Sequence, residues 1–233
     1  MRVAAASDLQ FALQEVADRF QATHDGCSVE TVFGSSGNLF AQLSNGAPFD
    51  MFLSADMSYP RRLVEAGRAA RESEFLYAVG QIVVWVPNAS MLDLDKLGMQ
   101  ALVDPAVKKI SIANPKHAPY GRAAETAMQN LGVYELAKDR LVLGENISQA
   151  AQFVESGAAD VGIIARSLAL APAMKDKGRH WSIPTDSYPP LEQGGIIMKD
   201  AQDPAAAAAL RGFLTGDEGK TILRTYGFVI PGE

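Results

Sequence analysis

Four positions in the chain combine small or neutral polar residues with the start of a helix-like run. They are Ala6-Ser7-Asp8, Gly34-Ser35-Ser36-Gly37, Pro119-Tyr120-Gly121 and Asn146-Ile147-Ser148. The first N–H groups of a helix have no acceptor within that helix, and the helix dipole makes the same end partly positive. Each junction is therefore a potential anion site that works through hydrogen bonds alone.

The four junctions fall two in the first half of the chain and two in the second. If both pairs face one cleft, they form a cage of N–H and hydroxyl donors that contains no cation. Such a cage suits a small, fully ionised oxyanion, because a ligand with no proton to donate needs only donors around it. For any one junction the simpler interpretation is a plain N-cap at Ser7 or Ser36. The anion hypothesis depends on the arrangement of all four.

Two other motifs lack residues that their chemistry needs. Gly219-Lys220-Thr221 imitates the end of a phosphate-binding P-loop, but Leu214 stands where the upstream glycine is required. Asp50, Asp56 and Asp160 are separated by strands and loops and do not follow the spacing of a calcium loop. We expect no nucleotide site and no metal ligand here, and we expect the three aspartates to form caps or turns.

A serine nucleophile is the alternative that would make the protein an enzyme. Gly34-Ser35-Ser36-Gly37 lacks the spacing of a nucleophile elbow, since Asn38 stands where the final glycine is needed. Ser7 or Ser36 would also need a base within hydrogen-bonding distance, and the sequence offers only His117 for that role. We expect no catalytic residue, and a hydrolase or transferase stays open as the alternative.

Alternating strand-like and helix-like segments position the four junctions. Apolar or β-branched runs predict strands at Arg2–Ala5, Val29–Phe33, Asp50–Ser54, Ile82–Val86, Ile110–Ala113, Leu141–Leu143, Val161–Ile164 and Gly195–Met198. Apolar faces at helical spacing predict helices at Leu9–Thr23, Ser36–Asn45, Tyr59–Ala66, Leu94–Leu102, Arg122–Leu131, Ser148–Glu155, Pro204–Leu214 and Glu218–Tyr226. The order predicts two α/β lobes, the first with a largely parallel sheet, and ligands of such folds bind beyond the carboxyl ends of strands.

Composition narrows the classes of function. The 233 residues include 21 Lys+Arg and 27 Asp+Glu, so the net charge is −6. The lack of a basic surplus argues against a nucleic-acid partner. Cys27 is the only cysteine, which excludes an internal disulfide and a thiolate metal cluster. No apolar run approaches the length of a membrane span, and Met1–Ala6 does not show the pattern of a signal peptide.

In this context the sequence resembles the periplasmic molybdate-binding proteins, the substrate-capture components of molybdate ABC transporters. The resemblance runs through nearly the whole chain, and the stretch Gly46-Ala47-Pro48-Phe49-Asp50-Met51-Phe52-Leu53-Ser54-Ala55-Asp56 is its most specific part. The other landmarks are Ala4-Ala5-Ala6-Ser7-Asp8-Leu9, Gly34-Ser35-Ser36-Gly37, Asn114-Pro115-Lys116-His117-Ala118-Pro119-Tyr120-Gly121, Gly157-Ala158-Ala159-Asp160-Val161-Gly162 and Tyr226-Gly227-Phe228.

The resemblance implies an α/β type II periplasmic-binding-protein fold, with two lobes joined by two crossover strands and the ligand cleft between them. Residues 1–79 with 198–233 would form one lobe and residues 80–197 the other. Molybdate, and by extension tungstate, would be held in the cleft by neutral hydrogen-bond donors. By position these donors would be the hydroxyl and N–H groups of Ser7 and Ser36, with N–H groups of Asp8, Tyr120 and Ile147.

The same resemblance implies a protein that is not an enzyme and needs no cofactor, with molybdenum bound only as the oxyanion. Its partner would be an ABC permease in the membrane. The chain would be a monomer in the periplasm, beginning at a mature N-terminus from which the signal peptide has been removed. A receptor of the same fold for sulfate or phosphate stays open as an alternative.

Two positions depart from the family pattern. Some members place a tyrosine hydroxyl on the anion just after the strand that here contains Gly162-Ile163-Ile164, but this chain has Ala165 there. The residue after the first serine is an acid, Asp8, beside a site for an anion. We expect the Asp8 carboxylate to cap or to face outward, because two like charges in a dry cleft would repel each other. Asp8 is also the one residue that could accept the proton of a phosphate ligand.

Overall fold

The chain forms two units, which a computed structural model describes over residues 1–232. The first unit comprises Met1–Val79 and the chain from Glu192 onward, and the second comprises Gly80–Leu191. We expected the chain to return to the first lobe only at residue 198. The return comes earlier because Gly194–Ile197 pairs with Met51–Ser54 in the first sheet.

Ten strands build two sheets of five. The strands are β1 (Arg2–Ala6), β2 (Glu30–Gly34), β3 (Met51–Ser54), β4 (Phe75–Gly80), β5 (Ile82–Pro87), β6 (Ile110–Ala113), β7 (Leu141–Gly144), β8 (Val161–Ala165), β9 (Gly178–Ser182) and β10 (Leu191–Ile197). The first sheet has the order β2-β1-β3-β10-β4 and the second has the order β7-β6-β8-β5-β9. The chain leaves the first unit through β4 and returns through β10, and these two strands are neighbours in the first sheet.

The α-helices connect the strands. They are α1 (Gln10–Thr23), α2 (Ser36–Ser44), α3 (Ser58–Glu65), α4 (Leu94–Leu97), α5 (Pro119–Asn130), α6 (Tyr134–Ala137), α7 (Ile147–Glu155), α8 (Arg166–Ala169), α9 (Pro204–Thr215) and α10 (Asp217–Thr225). Short 3-10 turns occur at Ser7–Leu9, Arg71–Ser73, Gly98–Val103, Lys138–Arg140 and Thr185–Ser187. No helix within residues 1–232 has the length and apolar character needed to cross a bilayer.

Both sheets are mixed, so the expectation of a largely parallel first sheet is only partly right. β1 lies parallel to β2 and β3, but β10 is antiparallel to β3. In the second sheet β6 is parallel to β7 and β8, whereas β5 is antiparallel to β8 and β9. The antiparallel members include β10, which re-enters the first sheet after the chain has passed through the second unit.

Apolar burial on the predicted faces holds each unit together. Leu9, Leu13, Val16, Ala17 and Phe20, the face predicted for the first helix, are all buried. In the second unit β8 is buried along its whole length. Burying such side chains contributes about 1.5–3 kcal/mol for each large apolar residue. The two sheets are therefore rigid supports for the loops at the ends of their strands.

Candidate anion-binding site

The first two junctions lie side by side at one edge of the first sheet. β1 and β2 run parallel with Ala6 opposite Gly34, so both strands end at the same level. Ser7 begins a 3-10 turn directly after β1, and Ser36 begins α2 two residues after β2 ends. Both serines are buried, at 3% and 1% exposure. The structure thus brings together two of the helix starts predicted from the sequence.

Ser35, rather than Ser36, caps α2. The Ser35 hydroxyl oxygen accepts the N–H of Asn38 at 3.4 Å, and the Ser35 carbonyl accepts the N–H of Leu39 at 3.0 Å. The simpler interpretation, that Ser36 is the N-cap, is therefore wrong by one residue. This difference matters because a capping Ser36 would use its Oγ to accept an N–H group of its own helix. Since Ser35 accepts that N–H group, Ser36 Oγ is not needed as a cap.

The Ser36 hydroxyl is oriented by a third strand end. β3 lies parallel to β1 with Leu53 opposite Ala5, and it is followed by Ala55, whose N–H donates to Ser36 Oγ at 3.0 Å. A hydroxyl that accepts one hydrogen bond still has its own hydrogen to donate. Ser36 is consequently a buried donor whose oxygen is fixed by the backbone after β3.

Asp8 is directed into the interior of the first unit. Its side chain is buried, and Oδ2 accepts a hydrogen bond from Gln193 Nε2 at 2.5 Å. The Tyr77 hydroxyl lies 3.1 Å from Gln193 Oε1 and 3.2 Å from the Ser54 carbonyl oxygen. We expected the carboxylate to cap or to face outward; the outward orientation is wrong, because the side chain is buried and accepts the side-chain amide of Gln193 on β10.

Burial and the Asp8 charge act on Tyr77 in the same direction. Burial in the first place, and then the nearby carboxylate, raise the pKa of Tyr77 well above its usual value. The hydroxyl therefore keeps its proton throughout the ordinary pH range and serves as a donor. Sequence reasoning missed both Tyr77 and Gln193, since neither belongs to a local motif and Gln193 lies 185 positions from Asp8.

The other two junctions form a similar pair in the second unit. β6 and β7 run parallel, with Ala113 opposite Gly144, and the N–H of Asn114 donates to the Gly144 carbonyl at 2.8 Å. Tyr120 is the second residue of α5, and Ile147 is the first residue of α7. Both residues are buried. Their N–H groups belong to the first turns of helices that follow neighbouring strand ends.

Glycine and asparagine set the positions of these two helices. A Cβ on Gly121 would lie 2.2 Å from the Ala113 carbonyl oxygen, so only glycine lets the start of α5 approach the end of β6 this closely. The Asn146 side chain caps α7 by accepting the N–H of Gln149 at 3.0 Å. α5 begins at Pro119 and α7 at Ile147, each slightly earlier than predicted.

Residues 1–229, nearly the whole chain, match the family of bacterial extracellular solute-binding proteins.

The chain belongs to this family. Over 204 residues it is 42% identical to the molybdate-binding protein ModA of Rhodobacter capsulatus, and this aligned segment covers 88% of this chain and 78% of that protein. It is 37% identical over 228 residues to ModA of Azotobacter vinelandii, covering 98% of this chain and 89% of the relative. The solved periplasmic molybdate-binding protein of Azotobacter vinelandii superposes with a TM-score of 0.91 at 32% identity and covers 99% of both chains. These matches confirm the resemblance that was inferred from the sequence motifs. They also confirm the α/β fold with two lobes that the resemblance implied.

His117 contacts an acid of its own unit in this solute-binding protein. His117 Nε2 lies 3.7 Å from Glu145 Oε2, and the two residues come from the loops that precede α5 and α7. The hydrogen bond to Ser36 Oγ comes from the backbone N–H of Ala55. This contact leaves the Ser36 hydrogen available to a ligand. A nucleophilic Ser36 would need a base to accept that hydrogen, and a side-chain contact of His117, the base that the sequence offers, is with Glu145.

The remaining candidates have structural contacts. Asp50 accepts the N–H groups of Arg2 and Gln202, each at 2.6 Å. Asp160 accepts the N–H groups of Lys108 and Lys109, and Asp56 accepts that of Ser58. Ala165 ends β8 and is buried, and its side chain has no hydroxyl to offer a ligand. Within residues 1–232 no three His, Cys, Asp or Glu side chains cluster as a metal site.

Proposed function

We propose that this solute-binding protein captures molybdate through neutral hydrogen-bond donors. The donors are the hydroxyl and N–H groups of Ser7 and Ser36 and the N–H groups of Asp8, Tyr120 and Ile147. The observation that carries the proposal is the paired helix starts: in each unit two of them follow parallel strand ends that lie side by side. Two relatives at 37–42% identity that are named molybdate-binding proteins support the choice of ligand.

Molybdate fits this set of groups by charge and protonation. It is a tetrahedral dianion without a proton at neutral pH, so every oxygen needs a donor and none needs an acceptor. Ser36 supplies a hydroxyl whose oxygen is already fixed by the N–H of Ala55. Hydrogen bonds to a charged partner contribute about 1.5–3 kcal/mol each. Tungstate has the same shape and charge, and we propose that it binds as well.

Sulfate and phosphate are the competing ligands. Phosphate carries a proton at neutral pH and would favour a site with an acceptor for that proton. Asp8 is the only acid among the proposed ligand residues, and its Oδ2 already accepts the amide of Gln193. The two relatives that are named molybdate-binding proteins favour molybdate over phosphate. Sulfate differs from molybdate mainly in its smaller size, which a cage of fixed donors can discriminate.

The protein delivers its ligand to an ABC permease in this proposal. It acts in the periplasm as a monomer, without enzymatic activity and without a resident cofactor. The net charge of −6 is compatible with anion capture. Screening at physiological salt limits long-range repulsion to about 8 Å, and the local N–H dipoles act within that distance.

Melting curves with excess molybdate, tungstate, sulfate and phosphate test the proposal. A ligand at a thousand times its Kd adds about 4 kcal/mol of stability. For a chain of this size we expect the Tm to rise by about 8–16 °C with molybdate and tungstate only. A rise with sulfate or phosphate instead would assign a different oxyanion. No rise with any of the four would contradict the receptor function.

A further inference from the structure

Buried hydrogen-bonding contacts link the turn at Ser7 and Asp8 with the Ser36 hydroxyl through Gln193, Tyr77 and the peptide group after Ser54. Gln193 Nε2 donates to Asp8 Oδ2, and the Tyr77 hydroxyl lies 3.1 Å from Gln193 Oε1 and 3.2 Å from the Ser54 carbonyl oxygen. The Ser54 carbonyl and the Ala55 N–H belong to one peptide group, and that N–H donates to Ser36 Oγ at 3.0 Å. We call this set the Asp8–Ser36 relay.

The relay is almost completely buried. Asp8, Tyr77 and Gln193 are each 2% exposed or less, and Ser54 is fully buried. Buried polar groups are costly unless they are hydrogen-bonded, so an interior network of this kind holds its members in one arrangement. The single hydroxyl hydrogen of Tyr77 is shared between two acceptors, Gln193 Oε1 and the Ser54 carbonyl, and so ties β10 to the end of β3. The N–H of the same 54–55 peptide group donates to Ser36.

Both ends of the relay are proposed ligand residues, whereas its middle members are not. Tyr77 lies on β4 and Gln193 on β10, the strands through which the chain leaves and re-enters the first unit. The middle of the relay therefore fixes the amide of Gln193 with Nε2 toward Asp8 and Oε1 toward Tyr77. That orientation places an amide donor against the Asp8 carboxyl group, beside a turn that offers N–H groups to an anion.

We propose that Gln193 and Tyr77 are positioning residues for oxyanion binding, which hold the turn at Ser7 and Asp8 and the Ser36 hydroxyl in the geometry that the ligand requires. The inference rests on the proposed function, because the groups that Gln193 and Tyr77 would position are the donors of the proposed oxyanion site.

Exchanging the donor and the acceptor at Asp8 and Gln193 tests the inference. Gln193→Glu sets two carboxyl groups against each other and removes the hydrogen bond from the amide to Asp8. The double variant Asp8→Asn/Gln193→Glu restores one amide and one carboxylate in reversed order, with the net charge of the wild type. Tyr77→Phe removes only the middle hydroxyl and leaves the ring in place, so it tests the same relay if Gln193→Glu does not fold.

Calorimetric titration with molybdate measures Kd, and its stoichiometry reports the folded, binding-competent fraction. We expect Gln193→Glu to bind about tenfold more weakly or worse, Tyr77→Phe about threefold more weakly, and the double variant within about threefold of wild type. The matched control is Asp50→Asn, which alters another buried carboxylate at the opposite end of β1. It should lower the Tm and leave Kd unchanged.

Three outcomes would overturn the inference. Wild-type affinity in both Gln193→Glu and Tyr77→Phe would mean that the relay does not position the ligand groups. A double variant as weak as Gln193→Glu would mean that the effect does not pass through the contact with Asp8. If the wild-type protein binds none of molybdate, tungstate, sulfate and phosphate, the proposed function is contradicted together with the inference. The first two outcomes contradict the inference alone.

Discussion

Two neighbouring serines at the start of α2 have different tasks. Ser35 Oγ accepts the N–H of Asn38 within the helix, whereas Ser36 Oγ accepts the N–H of Ala55 from outside it. We expect Ser36→Ala to weaken molybdate binding by about 1.5–3 kcal/mol, the range for a hydrogen bond to a charged group. Calorimetric titration measures the change in Kd.

Ser35→Ala is the matched control for that substitution. Loss of an N-cap lowers the stability by about 0.5–2 kcal/mol, so its Tm should fall while the molybdate affinity changes little. If Ser36→Ala and Ser7→Ala both bind molybdate as wild type does, the proposed donors are wrong.

Asp50 gives a pH-dependent contribution to stability. Burial raises its pKa, but hydrogen bonds from the N–H groups of Arg2, Gln202 and Asp203 outweigh burial, so the pKa lies below its usual value of 3.8. A lowered pKa in the folded state stabilises the protein above pH 3.8, and this contribution is lost as the pH falls through the folded-state value. We expect Asp50→Asn to be less stable at neutral pH by about 1–3 kcal/mol.

Urea unfolding at several pH values measures the Asp50 effect. The difference between wild type and Asp50→Asn should shrink as the pH is lowered below 3.8. A difference that stays constant with pH would show that the carboxylate charge is not its source.

At the scale of elements, the start of α5 depends on a close approach to β6. A Cβ on Gly121 would lie 2.2 Å from the Ala113 carbonyl oxygen, so alanine there must push the helix away from the strand end. We expect Gly121→Ala to lower the stability by about 1–3 kcal/mol, the usual cost of overpacking, and to weaken molybdate binding because the N–H of Tyr120 moves with the helix. Thermal melting and calorimetric titration measure the two effects.

Gly212→Ala is the control in another helix. Nothing lies within 4 Å of a Cβ at this position of α9, so alanine should stabilise the protein by up to about 1 kcal/mol and leave Kd unchanged. Equal affinities in Gly121→Ala and the wild type would argue against a ligand role for the start of α5.

Helices and strands with clear local sequence signals could be predicted, whereas others could not. Pro204–Thr215 and Asp217–Thr225 lie within a few residues of the predicted helices, because their caps and apolar faces are local signals. β4 and β9 were not predicted. Each is an edge strand, and the largely exposed residues of β9, Gly178–Ser182, lack the apolar run that marks a buried strand.

The candidate site could also be predicted only in those parts that have a local sequence pattern. The four helix starts could be read from short motifs, because a strand followed by a cap has a sequence pattern of its own. Which of Ser35 and Ser36 is the cap depends on β2 continuing to Gly34, where it pairs with Ala6. The contact of Asp8 with Gln193 joins distant parts of the chain, and no local pattern indicates it.

At the scale of the whole molecule, a protein with a net charge of −6 is proposed to bind a dianion without using a cationic side chain. Long-range repulsion should then slow the approach of molybdate when little salt is present. Raising the ionic strength from about 0.01 M to 0.15 M shortens the Debye length from about 30 Å to about 8 Å. We therefore expect the association rate to rise by a few-fold and the dissociation rate to change little, since the short-range hydrogen bonds are scarcely screened.

Stopped-flow mixing with molybdate in increasing sodium chloride measures this dependence, with tryptophan fluorescence as the signal. A site built on Lys or Arg would show the reverse, because salt weakens attraction between opposite charges and the affinity would fall as chloride is added. Affinity that drops about tenfold over this range would therefore place a cationic side chain at the ligand and contradict the neutral donor set. Affinity that holds or rises is expected if the helix starts and the two serines supply the binding energy, because partial charges fixed within hydrogen-bonding distance act inside the Debye length at every salt concentration used.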